Sequence, residues 1–273
     1  MRHKSNIGIF SWFGYVMPMK ERLELIKKAG FDGVTIWWED ETGYNEGKKE
    51  NFPKLVKENG LVFENIHAPF TNPNSLWSSF EYERQGEINK YIEWIEDCAR
   101  YDIPMMVMHV VEGPNHPEPN RYGIKSIREI VKRAEEFGVK IAVENTFAMS
   151  NLPYIFDRIE SPNLVMCYDS SHDMLHENSL DLLKVYGSRL GATHISDNDG
   201  LKDRHWLPGN GNIDWNKIGT SFPTKTYKGY ITLEVYPTQE EMQMPPEDFL
   251  TKAYQRALYA ESGLKNKVFK ENA

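Results

Sequence analysis

Six apolar stretches of this chain end in a side chain that can bind a cation or move a proton. They close on His67 in IHAPF, His109 in MHVV, Glu144 in IAVEN, Asp169 in CYDSSHD, His194 in THISD and Glu234 in ITLEVY. A carboxylate inside an apolar run is costly to bury unless a cation or several donors meet it. Glu144 and Glu234 lie in such runs, so folding alone gives no reason for them. The densest stretch is 194–215, HISDNDGLKDRHWLPGNGNIDW, where Asp203 and His205 follow His194 ahead of a turn marked by Pro208, Gly209 and Gly211. After that turn, Asp214 reads as the N-cap of a helix beginning at Trp215.

Glu144, Asp169, His194 and Glu234 together form an oxygen-rich set suited to a divalent cation. His67, His109, His172, Asp203 and His205 either add nitrogen and oxygen donors for further metal, zinc above all, or contact substrate. The expected cofactor is therefore a divalent metal: zinc, manganese, cobalt or magnesium.

These groups are far apart in sequence and need a scaffold that brings strand ends together. Strand-type runs are read at 6–10, 33–38, 62–67, 105–110, 140–144, 164–168, 192–195 and 230–235, alternating with helical patterns such as 19–29, 83–101, 124–137 and 248–262. AGFDGV, ENGLVF and EFGVKIAVE place a glycine where a helix stops shortly before the next strand. Eight such units without a linker predict an α/β fold, a single (β/α)8 barrel domain over 1–273, in which chemistry collects past the C-terminal strand ends. A doubly wound sheet would carry a glycine-rich loop after its first strand, and SWFGYVMPM has one glycine.

With 32 basic and 40 acidic residues the net charge is -8, which argues against a nonspecific nucleic-acid or membrane binder. No apolar run reaches transmembrane length. Cys98 and Cys167 form neither a disulfide framework nor a zinc motif, so a reducing, cytoplasmic setting is expected. Oligomeric state is left open by the pattern.

The set of His67, His109, Glu144 in VEN, Asp169-x-x-His172, His194 in HISDNDG, Asp203-Arg204-His205 with Pro208-Gly209-x-Gly211, and Glu234 resembles the xylose-isomerase-like barrels over nearly the whole chain. That superfamily includes sugar isomerases, epimerases and endonuclease IV. In the epimerase branch, the resemblance implies one ion held by Glu144, Asp169, His194 and Glu234, with Glu144 and Glu234 as the acid/base pair. His172 and an arginine, here Arg204 beside His205, would contact the sugar. In the endonuclease branch, all nine donors would hold three zinc ions for phosphodiester hydrolysis at abasic sites. The segment APFTNPNSLWSS after His67 and the loop EDETGYNEG lack the cations that DNA demands, which favours a small sugar substrate. Trp12, Phe13, Trp37, Trp38, Phe70 and Trp206 are placed near the rim, and of these Trp12, Trp38, Phe70 and Trp206 are expected to cover the sugar. A catalytically silent sugar-binding barrel is the third reading.

Overall fold

The computed structural model describes residues 6–266 apart from 46, 147–149 and 176–179. Eight strands run β1 (Ile7–Phe10), β2 (Gly33–Trp37), β3 (Val62–His67), β4 (Met105–Met108), β5 (Lys140–Glu144), β6 (Leu164–Asp169), β7 (Leu190–His194) and β8 (Ile231–Leu233). They pair in the order β7-β6-β5-β4-β3-β2-β1-β8, and every pairing is parallel. The seam between β7 and β8 is joined by the parallel bridge Ile195 to Leu233, where the Ile195 amide donates to Thr232 O at 2.8 Å. The strands thus form a single barrel.

The helices are α1 (Met19–Ala29), α2 (Phe52–Glu58), α3 (Glu81–Arg100), α4 (Arg121–Phe137), α5 (Asn151–Phe156), α6 (Ser170–Leu175), α7 (Leu182–Tyr186), α8 (Trp215–Gly219) and α9 (Pro246–Leu264). Helices α1 and α4 stop at Gly30 and Gly138, both left-handed at φ 109° and 70°, a conformation glycine adopts without a Cβ clash. Asp214 caps α8 as the sequence indicates, its Oδ1 accepting from the amides of Asn216 and Lys217. No helix among the described residues is long and apolar enough to cross a membrane.

Most of the buried apolar surface lies between the sheet and the helices, with Ile7, Ile9, Leu23, Ile26, Val34, Ile36, Phe249 and Leu250 fully enclosed. Met105, Val107, Ala142, Val165, Cys167 and Ala192, from β4 to β7, form a separate apolar cluster that fills one side of the barrel interior. The opposite side holds Glu64. Its Oε2 accepts from Thr232 Oγ1 at 2.6 Å, and a Cβ on Gly8 or Gly33 would lie 1.8 or 2.4 Å from its Oε1. Two glycines therefore make the room this carboxyl occupies.

Candidate metal centre

The last inward position of six strands carries a potential ligand, because side chains alternate along a strand and the parallel register aligns the strand ends. His67, His109, Glu144, Asp169, His194 and Glu234 meet at the C-terminal mouth, and the first five are buried. They form two donor groups that share one carboxylate. Glu144, Asp169, His194 and Glu234 offer four atoms all within 4.8 Å of one another, and His67, Glu144 and His194 form an overlapping trio at the same spacing.

Glu144 bridges the two groups. Its Oε2 lies 3.3 Å from His67 Nε2 and 3.2 Å from His109 Nε2, and its Oε1 lies 3.1 Å from His194 Nδ1. His194 Nδ1 is also 3.0 Å from Glu234 Oε2. A third group stands beside them, with Asp203 Oδ2 at 3.1 Å from His172 Nε2 and 3.0 Å from His205 Nε2. All nine donors expected from the sequence are thus brought together.

The backbone around them is tied down. Asn145 locks β5 to β6, its Oδ1 accepting the Asp169 amide at 2.7 Å while its Nδ2 donates to Asp169 O at 2.8 Å. Asp169 Oδ1 accepts the amide of His172 at 2.7 Å, which turns Oδ2 into the centre. Among the described residues that Oδ2 has no hydrogen-bond partner, nor has Asp203 Oδ1, nor either ring nitrogen of His194 with acceptable direction. Buried polar atoms are seldom left unanswered. Close oxygens and nitrogens with no directed hydrogen bond between them fit a divalent cation of the kind carboxylate and imidazole bind.

Electrostatics agree. Burial would raise Glu144, but the charges of His194 and His109 and the hydrogen bonds from His109 and His172 hold it well below the usual carboxylate range. Glu234, opposed by burial but faced by His194 and His205, is lowered to about 2. Burial pushes Asp169 up to about 6. His109 and His205 are both held up to about 9 against burial, the first by Glu144 and Glu112 and the second by Asp203 and Glu234.

The centre forms the floor of a cavity of about 470 Å³. Phe10, Trp12, Trp37, Phe70 and Tyr236 supply apolar wall, and Glu41 and Glu112 supply carboxylates. Among the described residues that line it there is no lysine or arginine. Glu41 is paired with the fully buried Arg22, whose guanidinium also lies 5.6 Å from the Trp12 ring. Trp37 stacks on His67 at 5.3 Å and Phe70 on His109 at 4.4 Å, so two aromatic rings cover two imidazoles.

Three expected sugar contacts lie elsewhere. Trp38 points away from the mouth, 1% exposed, with its Nε1 donating to Asp97 on α3 at 2.9 Å, and Trp37 takes the inward place. Strand alternation sends these neighbours to opposite faces. Phe13 is likewise buried, packed against Tyr15 and Phe249. Arg204 donates Nε and Nη2 to Asp199 Oδ2 at 3.1 and 2.9 Å and lies over Trp206, outside the cavity lining. Its neighbour His205 faces the cavity instead, held at φ 51° by a contact from its Nδ1 to Glu234 O at 3.1 Å. Trp206 pairs through its backbone with Asp197 and borders a separate depression with Lys252. Trp12, Phe70 and His172 do line the cavity. The turn at Gly209 and Gly211 is scaffold: Asp197 accepts the amides of Gly209 and Ile213, and a Cβ on Gly211 would lie 2.3 Å from Asn198 O.

The sequence reading passed over Glu41, Glu112 and Glu64. Glu41 stands in a loop with no apolar run to make a carboxylate conspicuous, but MHVVEG offered a signal for Glu112, an acid directly after an apolar run, and FENIH one for Glu64, an acid inside a strand.

An uncharacterized protein of Sinorhizobium fredii is 28% identical to this chain, the alignment covering 81% of this chain and 82% of the relative. Fructoselysine 3-epimerase of Shigella flexneri is 20% identical over 84% of this chain and 89% of its own. A probable endonuclease 4 of Thermoplasma volcanium is 26% identical over 63% and 67%. Among solved structures, a xylose isomerase-like TIM barrel/4-hydroxyphenylpyruvate dioxygenase fusion protein superposes with TM-score 0.79 at 17% identity, over 98% of this chain and 46% of that one. This chain spans about half of that fusion. The D-psicose 3-epimerase of Clostridium cellulolyticum H10, solved with D-tagatose, superposes with TM-score 0.74 at 17% identity over 95% and 99%. At these identities the superpositions show the shared fold. The profile described as "Xylose isomerase-like TIM barrel" matches residues 23–257. The chain belongs to the xylose isomerase-like TIM barrel family.

Proposed function

We propose that this protein is a divalent-metal-dependent isomerase or epimerase acting on a small sugar or sugar derivative. The observation that carries the reading is the four-donor group, Glu144, Asp169, His194 and Glu234, at the floor of a sugar-sized cavity walled by aromatic rings and free of lysine and arginine among its described lining residues. Those four residues would hold the ion. When bound, it would supply Lewis acidity to adjacent carbonyl and hydroxyl oxygens and so lower the cost of removing a proton from the carbon beside the carbonyl.

Proton transfer in this reading falls first to Glu234, whose side chain remains 13% exposed at the cavity. Glu144 is the second candidate, and it can serve only when its Oε2 is released by His67 and His109. An isomerase moves a proton between adjacent carbons with one such group, whereas epimerisation by proton removal and return on opposite faces calls for two. Trp12, Trp37 and Phe70 would cover the sugar and exclude water, and His172 and His205 would meet hydroxyl groups. The likeness to fructoselysine 3-epimerase along most of the chain supports this class.

A specific observation favours a second reading, metal-dependent phosphodiester hydrolysis. All nine donors stand in three adjoining groups, and a probable endonuclease 4 is among the relatives. Against it, a DNA-binding mouth needs cations to meet phosphates, and here the described lining offers none on a chain of net charge -8. Incubation of the metal-loaded protein with a panel of ketoses in deuterated water tests the first reading. Incorporation of deuterium beside the carbonyl is expected. No exchange with any sugar, together with nicking of an abasic duplex, would replace it with the second.

A further inference from the structure

His109 differs from the other outer histidines of the centre in what holds its ring. His67 Nδ1 lies 2.9 Å from Ala68 O, His172 Nδ1 2.9 Å from Asn145 O, and His205 Nδ1 3.1 Å from Glu234 O. Carbonyl oxygens only accept, so each of these Nδ1 atoms carries a proton and each Nε2 is the nitrogen turned to the centre. His109 obeys the same geometry with a different partner. Its Nδ1 donates to the carboxylate of Glu112, while its Nε2 faces Glu144 Oε2.

Glu112 is itself anchored. Its amide donates to Asn74 Oδ1 at 2.9 Å and its carbonyl accepts from Asn74 Nδ2 at 2.9 Å, which ties the segment after β4 to the 3-10 turn Pro73–Trp77. Phe70 stacks on the His109 ring, and the Tyr91 hydroxyl donates to His109 O at 3.2 Å. The Glu112 side chain keeps 31% exposure and lines the cavity.

We propose that Glu112 is the positioning residue of a second metal position, formed by His67 Nε2, His109 Nε2 and Glu144 Oε2. A carboxylate behind an imidazole fixes its tautomer and orientation and makes the far nitrogen a stronger donor than a backbone carbonyl does. This position therefore depends on one removable side chain, whereas the four-donor group around Asp169 does not. The inference goes beyond the single ion of the proposed function, shares with it only the premise that this centre binds divalent metal, and assumes neither reaction.

The test uses the full-length, metal-free protein titrated with Co(II), followed by visible absorption and by ions bound per chain. His67→Ala marks the second position and Asp169→Ala the four-donor position. Glu112→Ala should weaken the class lost in His67→Ala by about 10–100-fold and change its absorption bands, leaving the class lost in Asp169→Ala intact. Glu112→Gln, which keeps the shape and an acceptor oxygen, should fall between Glu112→Ala and wild type. Thermal melting separates a misfolded variant from a metal-site effect, with the glutamine variant carrying the test if the alanine variant does not fold. Unchanged Co(II) affinity and spectrum in Glu112→Ala would overturn the proposal, as would equal weakening of both classes. A wild type that binds one ion, lost in Asp169→Ala, overturns it while the proposed function stands. A wild type that binds none overturns both.

Discussion

Glu144 and Glu64 are both buried carboxylic acids facing the inside of one barrel, yet their surroundings drive them in opposite directions. Glu144 meets His67, His109, His172 and His194 and is held well below the usual carboxylate range despite burial. Glu64 meets Thr232 and the bare backbones of Gly8 and Gly33, its Oε1 has no hydrogen-bond partner among the described residues, and burial pushes it up to about 8. Burial alone makes an acid keep its proton. Burial among imidazoles makes a charged ligand that a cation can claim.

The sharpest way to break this contrast is at the mouth. Glu234→Gln keeps volume but removes the charge that faces His194, and turnover should drop by about 10²–10⁴-fold in a deuterium-exchange or product assay. Retained turnover would remove Glu234 from the chemistry.

The next effect belongs to Glu64. Its folded value, about 8, lies above the ordinary value of 4.5, so the folded protein holds a proton that the unfolded chain has released. The stability this gives is full below about pH 4.5 and declines as pH rises through 8, by a total on the order of 5 kcal/mol. Glu64→Gln should flatten that decline. Denaturant melts of both proteins at pH 5 and pH 8.5 check it, and parallel pH dependence in the two would mean Glu64 is solvated.

A third difference concerns protons that cations displace. His109 and His205 are held at about 9 by their carboxylate partners, so metal must compete with protons below that pH. Apparent affinity for zinc should rise between pH 6 and pH 9, with protons released on binding. Calorimetry in buffers of different ionisation enthalpy measures the count; zero protons at pH 7 would contradict the picture.

Asp214 serves as the exposed reference, a carboxylate that caps α8 in water. Asp214→Ala should lower the melting temperature by about 2–4 °C and leave metal binding unchanged.

Much of this was legible beforehand. The eight strands and the barrel follow from strand-type runs alternating with helical ones, and six of the nine donors from acids or imidazoles closing apolar runs, since a parallel barrel makes each strand end a site; His172, Asp203 and His205 stand in the polar stretches beyond those ends. What was not legible has physical reasons. Parallel strands are apolar on both faces, so GVTIWW does not reveal that Trp37 turns in and Trp38 out. A left-handed backbone at a histidine is equally hard to foresee, and it is what brings His205 rather than Arg204 to the cavity. Glu112 gains its meaning only from His109, three residues earlier on a segment with no periodicity.

The claim on which the rest depends is that the four-donor group binds a divalent cation. Metal analysis of the purified protein, and of metal-free protein offered Zn(II), Mn(II), Co(II) or Mg(II), tests it directly, with Asp169→Ala as the comparison. At least one tightly held ion per chain is expected, lost in the variant. A wild type that retains no ion and takes up none of the four, or a variant that binds as wild type does, would contradict it.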